Sequence, residues 1–321
     1  MTVGSRCRER VAGMAASART GVEARLRPLA FVPISDVRLR TLDARLIEPR
    51  PRLGLVGFRR LGWEFFLFGL KEARACLFAG LFFAAVFSLP RGGLFGIARY
   101  DLLFLWAVAI QIAMVATRIE TLDEVKAICL FHLMGFCLEA FKTSAMVGAW
   151  SYPDPGFTKI LGVPLFSGFM YAAVGSYGIQ IWRLMDLRIV HHPPYPMAWA
   201  MALAIYANFF TNHFIPDLRW YIAACALGLY ARTTVEFQPF DRVRRMPLLV
   251  AFVLVGFFVW LAENVSTFFS VWRYPDQLGA WSAVHVDKWS SWSLLVVMTF
   301  TIVASLKHIK ARIHIPEDPV R

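Results

Sequence analysis

The sequence predicts an all-α protein, a polytopic membrane helical bundle of about eight transmembrane helices in two parallel four-helix repeats. Three observations lead there. Of the 321 residues, 58% are hydrophobic and 17% charged, with a mean hydropathy of +0.52, outside the range of soluble domains. Apolar segments follow one another from residue 62 to residue 307, joined by short loops in which basic residues favour alternate turns. A five-residue pattern also occurs twice, as Trp150-Ser151-Tyr152-Pro153-Asp154 and as Trp272-Arg273-Tyr274-Pro275-Asp276. Each copy follows a long apolar segment that carries one glutamate, Glu139 or Glu263.

Taken in order, residues 1–59 are rich in Arg, hold no Lys and contain no apolar run long enough for a signal-peptide core. They are expected to form a basic, largely disordered or weakly helical cytoplasmic arm. The first apolar segment, 62–89, carries Lys71, Glu72 and Arg74 and stops at Pro90-Arg91-Gly92-Gly93. The second covers 100–117, the third 122–148 and the fourth 163–184. His192-Pro193-Pro194-Tyr195-Pro196 breaks the chain before the fifth, 196–213, and His191 and His192 are expected to be solvated there. The sixth is 217–233, the seventh 246–270 and the eighth 288–307, ahead of a cytoplasmic tail at 311–321. Crossing the hydrocarbon takes about 20 apolar residues. Several segments are slightly short or carry polar residues, which suits a packed bundle.

Loop charge sets the orientation. With the N-terminus in the cytoplasm, the cytoplasmic side holds Arg118, Lys126, Arg183, Arg188, Arg232, Arg242, Arg244, Arg245, Lys307, Lys310 and Arg312. The other side holds Arg91, Arg99, Lys159, Arg219, Arg273 and Lys288, so the balance is eleven against six. The positive-inside rule then favours eight spans with both ends cytoplasmic.

The repeat extends beyond the five residues. Trp272 lies 122 after Trp150, Glu263 lies 124 after Glu139, and Gly256 lies 121 after Gly135. Asp241-Arg242-Val243 follows Asp123-Glu124-Val125 by 118. Residues 60–186 and 187–310 are therefore read as two four-span repeats. An even number of spans preserves orientation, so a pseudo-two-fold axis should lie along the membrane normal with a shared cavity between the halves.

Glu139 and Glu263 are the candidate catalytic residues, because an ionisable group within a span is costly unless it is paired, neutral or facing water. His132, Gly135, Glu139 and Thr143 share a helical face. Lys142, three residues after Glu139, is placed to pair with it, and Asn264 stands beside Glu263. One reading is a pair of carboxylates that give or take a proton beside a central cavity. The other is a set of polar clamps, Glu139–Lys142 and Glu263–Asn264, that fix helix packing. Candidate substrate-binding residues are His132, Lys142, Trp150, Tyr152, Ser167, Tyr171, Asn208, Asn264, Trp272 and Tyr274. For the two W-x-Y-P-D stretches, interfacial anchoring and turn formation compete with a lid over the cavity. His213 and Asp217 form a polar cap or a cluster at the rim.

Other chemistry finds little support. No HExxH, no His pair at metal spacing within a span, no aspartate-rich pair and no phosphate-cradling Gly-rich loop occurs, so no cofactor or metal is expected. The net charge of +12 is a topology signal, because no continuous soluble basic domain exists for nucleic acid. The expected partners are the lipid bilayer and a hydrophobic small molecule. Four of the five cysteines fall in apolar segments without a CxxC pair and are expected to be buried small apolar residues.

Asp123-Glu124-Val125-Lys126, Cys129-Leu130-Phe131-His132, Trp150-Ser151-Tyr152-Pro153, Gly162-Val163-Pro164-Leu165-Phe166-Ser167-Gly168-Phe169-Met170-Tyr171, Asn208-Phe209-Phe210-Thr211, Ala262-Glu263-Asn264 and Trp272-Arg273-Tyr274-Pro275 carry a likeness over about 60–310. They resemble the bacterial integral membrane family known as domain of unknown function 817. That resemblance implies a multi-span membrane protein and assigns no activity. The order of an intramembrane acid, a Trp and a Gly-Val-Pro-Leu helix start is also similar to half of a carotenoid (lycopene-type) membrane cyclase, in which a carboxylate protonates a polyene. Here Phe166-Ser167 replace the paired acids of that pattern. Three functions stay open: an intramembrane enzyme on a lipid or isoprenoid, a small-solute or proton-coupled transporter, and a structural membrane protein.

Overall fold

The computed structural model describes residues 43–47 and 56–313, with side chains through 308. Most of the basic arm and the tail from 314 onward lie outside the described residues. Ten α-helices are present among them. After a one-turn helix α1 (Ala44–Ile47), they run α2 (Gly57–Ala75), α3 (Leu77–Ser88), α4 (Arg99–Ala116), α5 (Leu122–Lys142) and α6 (Phe166–Leu184). The chain continues with α7 (Tyr195–Thr211), α8 (Arg219–Tyr230), α9 (Leu248–Phe268) and α10 (Asp287–Ile313). Every apolar segment read from the sequence contains helix, and three helices, α4, α9 and residues Asp287–His308 of α10, are long and apolar enough to cross a membrane.

Helical periodicity explains which faces are buried. In α2 the buried positions are Glu64, Leu67, Lys71 and Ala75, and in α4 they include Leu103, Ala107, Ile110 and Met114. Each set recurs every three or four residues and so forms one stripe. A capping box starts α5: the Glu124 amide donates to Thr121 Oγ1 and the Thr121 amide donates to Glu124 Oε2. Pro196 lies in the first turn of α7, where its missing N–H is not needed.

Two expectations are corrected. The first apolar segment is not one helix: Cys76 leaves the helical conformation with φ −83° and ψ 16° and separates α2 from α3. The sixth segment holds only the 12-residue α8, about 18 Å long at 1.5 Å per residue, against a hydrocarbon core of about 30 Å.

The most extensive helix packing joins α5 to α6 and α9 to α10, and α6 also touches α10. Glycines permit the first two contacts. A Cβ on Gly135 would lie 2.4 Å from the Tyr171 ring, and one on Gly256 would lie 2.4 Å from Ser293 Oγ and 2.7 Å from its backbone N and Cα. Tyr171 and Ser293 are 122 residues apart, within a residue of the spacing of the two glycines.

Short extended segments occupy the two ends of the bundle. At one end, β3 (Arg188–Val190), β4 (Thr234–Phe237) and β5 (Arg244–Pro247) form an antiparallel sheet in the order β3-β4-β5. Arg244 binds Glu64 of α2 through two bonds of 2.7 and 2.6 Å, and Arg60 pairs with Asp241. At the other end, β1 (Lys159–Ile160) pairs with β2 (Val163–Pro164). Outward-facing Phe58, Phe65, Ile112, Leu133 and Phe258 give the helices an apolar exterior. Cys76, Cys129, Cys137 and Cys225 also face outward, which corrects their expected burial.

Candidate carboxylate pair

Glu139 lies one turn from the end of α5 and Glu263 lies in the last turns of α9. Both are almost fully buried, with 3% and 4% exposure. After α5 the Thr143 amide donates to Glu139 O, Gly148 adopts φ +57°, and the Ala149 amide returns to Lys142 O. This tight reversal lays the first W-x-Y-P-D stretch back over its own helix. After α9, Ser270 takes φ +55° and the Val271 amide donates to Ser266 O, folding the second stretch back in the same sense.

The returning side chains meet the carboxylates. Glu139 Oε2 accepts from Trp150 Nε1 at 2.7 Å and from the Tyr152 hydroxyl at 2.9 Å, while Oε1 accepts from the Tyr171 hydroxyl at 2.8 Å. Glu263 accepts from the Tyr274 hydroxyl and from Trp292 Nε1, the latter at 2.7 Å. Burial, and then the neighbouring carboxylate, push the Tyr152 and Tyr274 phenols well above their usual range, so both remain donors.

The two sets of donors touch. Ser151 and Arg273, the second residue of each stretch, exchange both backbone hydrogen bonds at 2.9 Å as an antiparallel bridge. The Trp150 ring stands edge-on to Tyr274 at 5.9 Å, and Tyr152 lies 6.5 Å from Trp272. Tyr171, bound to Glu139, is 6.2 Å from Trp292, bound to Glu263. Lys288 Nζ lies 5.7 Å from the Trp150 ring centre and 5.0 Å from that of Tyr274, within cation–π range of both.

Of the residues expected from sequence, the structure gathers Trp150, Tyr152, Tyr171 and Tyr274 onto the carboxylates and brings Trp272 against Tyr152. His132 and Ser167 lie further along the same α5–α6 seam. His132 stands edge-on to Phe169 at 4.6 Å, and among the described residues neither His132 Nδ1 nor the fully buried Ser167 hydroxyl has a hydrogen-bond partner.

Both expected clamps are corrected. Lys142 turns away from Glu139, with Nζ 3.2 Å from Asn212 Oδ1 and 2.7 Å from His213 Nε2. Asn264 donates to Trp260 O at 2.9 Å and accepts from the Val284 amide at 2.8 Å, which pins the loop before α10. Asn208 belongs to a separate rim: its Nδ2 donates to Asp217 at 3.0 Å, and Asp217 also pairs with Arg219 at 2.9 Å. Burial disfavours the charge on Asp217, but the bonds from Asn208 and Arg219 outweigh it and hold its carboxyl below the usual range. His213 is engaged by Lys142 and, among the described residues, makes no hydrogen bond to Asp217, whose charge nonetheless acts on both from the same rim. His192 is half-buried, stacked on Tyr195 at 4.6 Å.

Sequence reasoning missed two sets of residues. The indole that donates to Glu263 is that of Trp292, which was not among the candidate residues. Eleven residues separate Glu139 from Trp150 but only nine separate Glu263 from Trp272, and the shorter turn leaves Trp272 off its carboxylate. Trp292 follows Tyr171 by 121, the interval of the packing glycines, and that interval was the available signal. The second set lies at the sheet end of the bundle, where the fully buried Glu124 pairs with Arg183 at 3.0 Å. Arg183 also donates to Ile119 O and to Gln180 Oε1, and Glu120 accepts from Ser176 and Gln111. Among the described residues, no three His, Cys, Asp or Glu side chains come together in a way that could hold a metal ion.

The chain is 46% identical over 243 residues to an uncharacterised protein of Bacillus subtilis (strain 168), YoaT, a match covering 76% of this chain and 91% of that one. No solved structure matches it. Residues 64–300 match the family described as Protein of unknown function (DUF817), and the chain belongs to that family.

Proposed function

We propose that the protein is a multi-pass inner-membrane protein whose buried Glu139 and Glu263 exchange protons to couple the movement of a small solute across the membrane. Two halves of four membrane segments each, 60–186 and 187–310, with both ends in the cytoplasm, frame the pair, the short α8 being matched by a locally thinned bilayer. The recurring spacings of Gly135 and Gly256, of Tyr171 and Trp292, and of the two W-x-Y-P-D stretches support this frame. So does the bridge between Ser151 and Arg273, which lies where a pseudo-two-fold axis would pass.

One observation carries the reading. Each carboxylate is buried, receives only hydroxyl and indole donors, and has no cation hydrogen-bonded to it among the described residues. An acid inside a membrane bundle is expensive to keep, and such groups mark proton and ion pathways. Three donors occupy Glu139 and leave one acceptor site open, on Oε1, so the ligand that this arrangement accommodates with least rearrangement is a proton. Contact between the two donor sets lets a change of protonation in one half be felt in the other. Lys288, over the rings of Trp150 and Tyr274, adds a positive charge at the rim of the same unit.

The test is metabolite and lipid profiling of a host strain deleted for its family member and complemented with wild type, Glu139→Gln or Glu263→Gln. The expected result is a change in soluble-metabolite pools on deletion that wild type reverses and neither variant restores. Full complementation by both variants removes the carboxylates from the mechanism. A change confined to lipids or isoprenoids replaces transport with an intramembrane enzyme.

A further inference from the structure

A cavity of about 140 Å³ lies at the same end of the bundle as the W-x-Y-P-D stretches, apart from the two carboxylates. Its wall is built from Arg91, Thr267, Ser270, Arg273, Gln277 and Trp281, with Phe268 and Gly279 completing it. Among the described residues, no acidic side chain lines it. The volume exceeds what one water molecule needs.

The charge balance of this cavity is one-sided. Arg91 has no ion pair among the described residues, and Arg273 uses its guanidinium only for a long 3.4 Å bond to Ser270 Oγ. Behind the wall stands a third, buried guanidinium, that of Arg99, which donates to Phe269 O at 2.8 Å and to Val86 O at 3.0 Å. Asp154 is the acidic group whose charge acts on Arg99, and it is not part of the cavity wall.

The remaining polar groups are held in place by bonds to one another and to residues beside the wall. Gln277 Nε2 donates to Ser282 O at 2.7 Å, and its Oε1 accepts from the Tyr274 amide at 3.3 Å. Trp281 Nε1 donates to Thr267 Oγ1 at 3.2 Å, and Thr267 in turn donates to Asn264 O at 3.1 Å. Arg273 is fixed through its backbone by the bridge to Ser151. The walls are thus preorganised while two guanidinium forks remain available, and a guanidinium fork matches the oxygens of phosphate in a bidentate way. Phe268 and Trp281 of the wall, and Leu278 between Gln277 and Gly279, are exposed. Exposed aromatic and aliphatic side chains of this kind mark the level of lipid headgroups.

We infer that this cavity binds a phosphate-type oxyanion between Arg91 and Arg273. Its source is either the headgroup of an anionic phospholipid or free inorganic phosphate. The site does not depend on proton exchange at Glu139 and Glu263, and it can fail or hold independently of that reading.

Binding is tested on purified, delipidated full-length protein by native mass spectrometry and thermal shift. The probes are phosphatidylglycerol, phosphatidylcholine and inorganic phosphate, applied separately. Wild type is expected to bind phosphatidylglycerol or inorganic phosphate, and the double variant Arg91→Gln/Arg273→Gln to bind it at least tenfold more weakly. Lys159→Gln, at the same end of the bundle, is expected to bind as wild type does. Saturable phosphatidylglycerol binding alone identifies a lipid headgroup as the source, and binding of inorganic phosphate identifies a free anion. The inference is overturned if neither probe binds, if phosphatidylcholine binds equally well, or if the double variant binds as tightly as wild type. A single-arginine variant with wild-type melting serves as the folding control if the double variant proves unstable.

Discussion

Glu139→Leu is expected to destabilise the detergent-solubilised protein by about 3–9 kcal/mol, because it strips three donors of their acceptor at about 1–3 kcal/mol each. Those donors are Trp150 Nε1, Tyr152 OH and Tyr171 OH, and they tie the loop after α5 and the adjoining helix α6 to α5. Glu263→Leu should cost less, since it orphans only Tyr274 and Trp292. Glu139→Gln keeps an acceptor oxygen but turns an amide NH2 toward a donor, so it should fall between wild type and the leucine variant while preserving the fold. Denaturant unfolding followed by tryptophan fluorescence gives the order. If Glu139→Leu proves neutral, the donors have alternative acceptors and the cluster is not the element that fastens the two stretches.

Arg183→Leu is expected to cost about 3–5 kcal/mol, the range for breaking a buried ion pair by removing one partner. Arg183 and Glu124 are 2% and 0% exposed at their side chains, and Glu124 also belongs to the capping box of α5. Removing the guanidinium leaves Glu124 with the Thr121 amide and a distant Lys307 at 4.0 Å, frees Gln180 Oε1, and takes one of the two side-chain donors from Ile119 O, which keeps Gln180 Nε2. The double variant Arg183→Leu/Glu124→Leu should recover a good part of the loss, because replacing both partners avoids the unpaired charge. Lys126→Leu is the control: its ion pair with Asp123 is half exposed, and it should change stability by less than about 1 kcal/mol. An equal loss in the Arg183 and Lys126 variants would show that burial does not set the cost.

The positions of the helices were readable because length and apolar composition are properties of the local chain. The break at Cys76 was not, since Ala75-Cys76-Leu77 contains neither Pro nor Gly and leaves the apolar run intact. The shortness of α8 escaped for the same reason: its flanks at Leu218 and Ala231 are themselves apolar. Around the carboxylates, Trp150, Tyr152, Tyr171 and Tyr274 were nameable from spacing and residue type. The partners of Lys142 were not, because helical spacing puts Glu139 within its reach while tertiary packing supplies Asn212 and His213 from the end of α7. Arg183 was read as a loop charge by the positive-inside count. A residue at the end of a span contributes to that count whether it is solvated or, as here, buried in an ion pair.

Difference infrared spectroscopy bears most directly on a proton-exchanging pair. The protein is reconstituted in liposomes and spectra are recorded on acidification in H2O and in D2O, for wild type, Glu139→Gln and Glu263→Gln. The predicted result is a protonated-carboxyl C=O band that grows as pH falls, shifts on deuteration, and loses a component in each variant. A spectrum in which neither substitution removes any titrating carboxyl band would contradict proton exchange at Glu139 and Glu263.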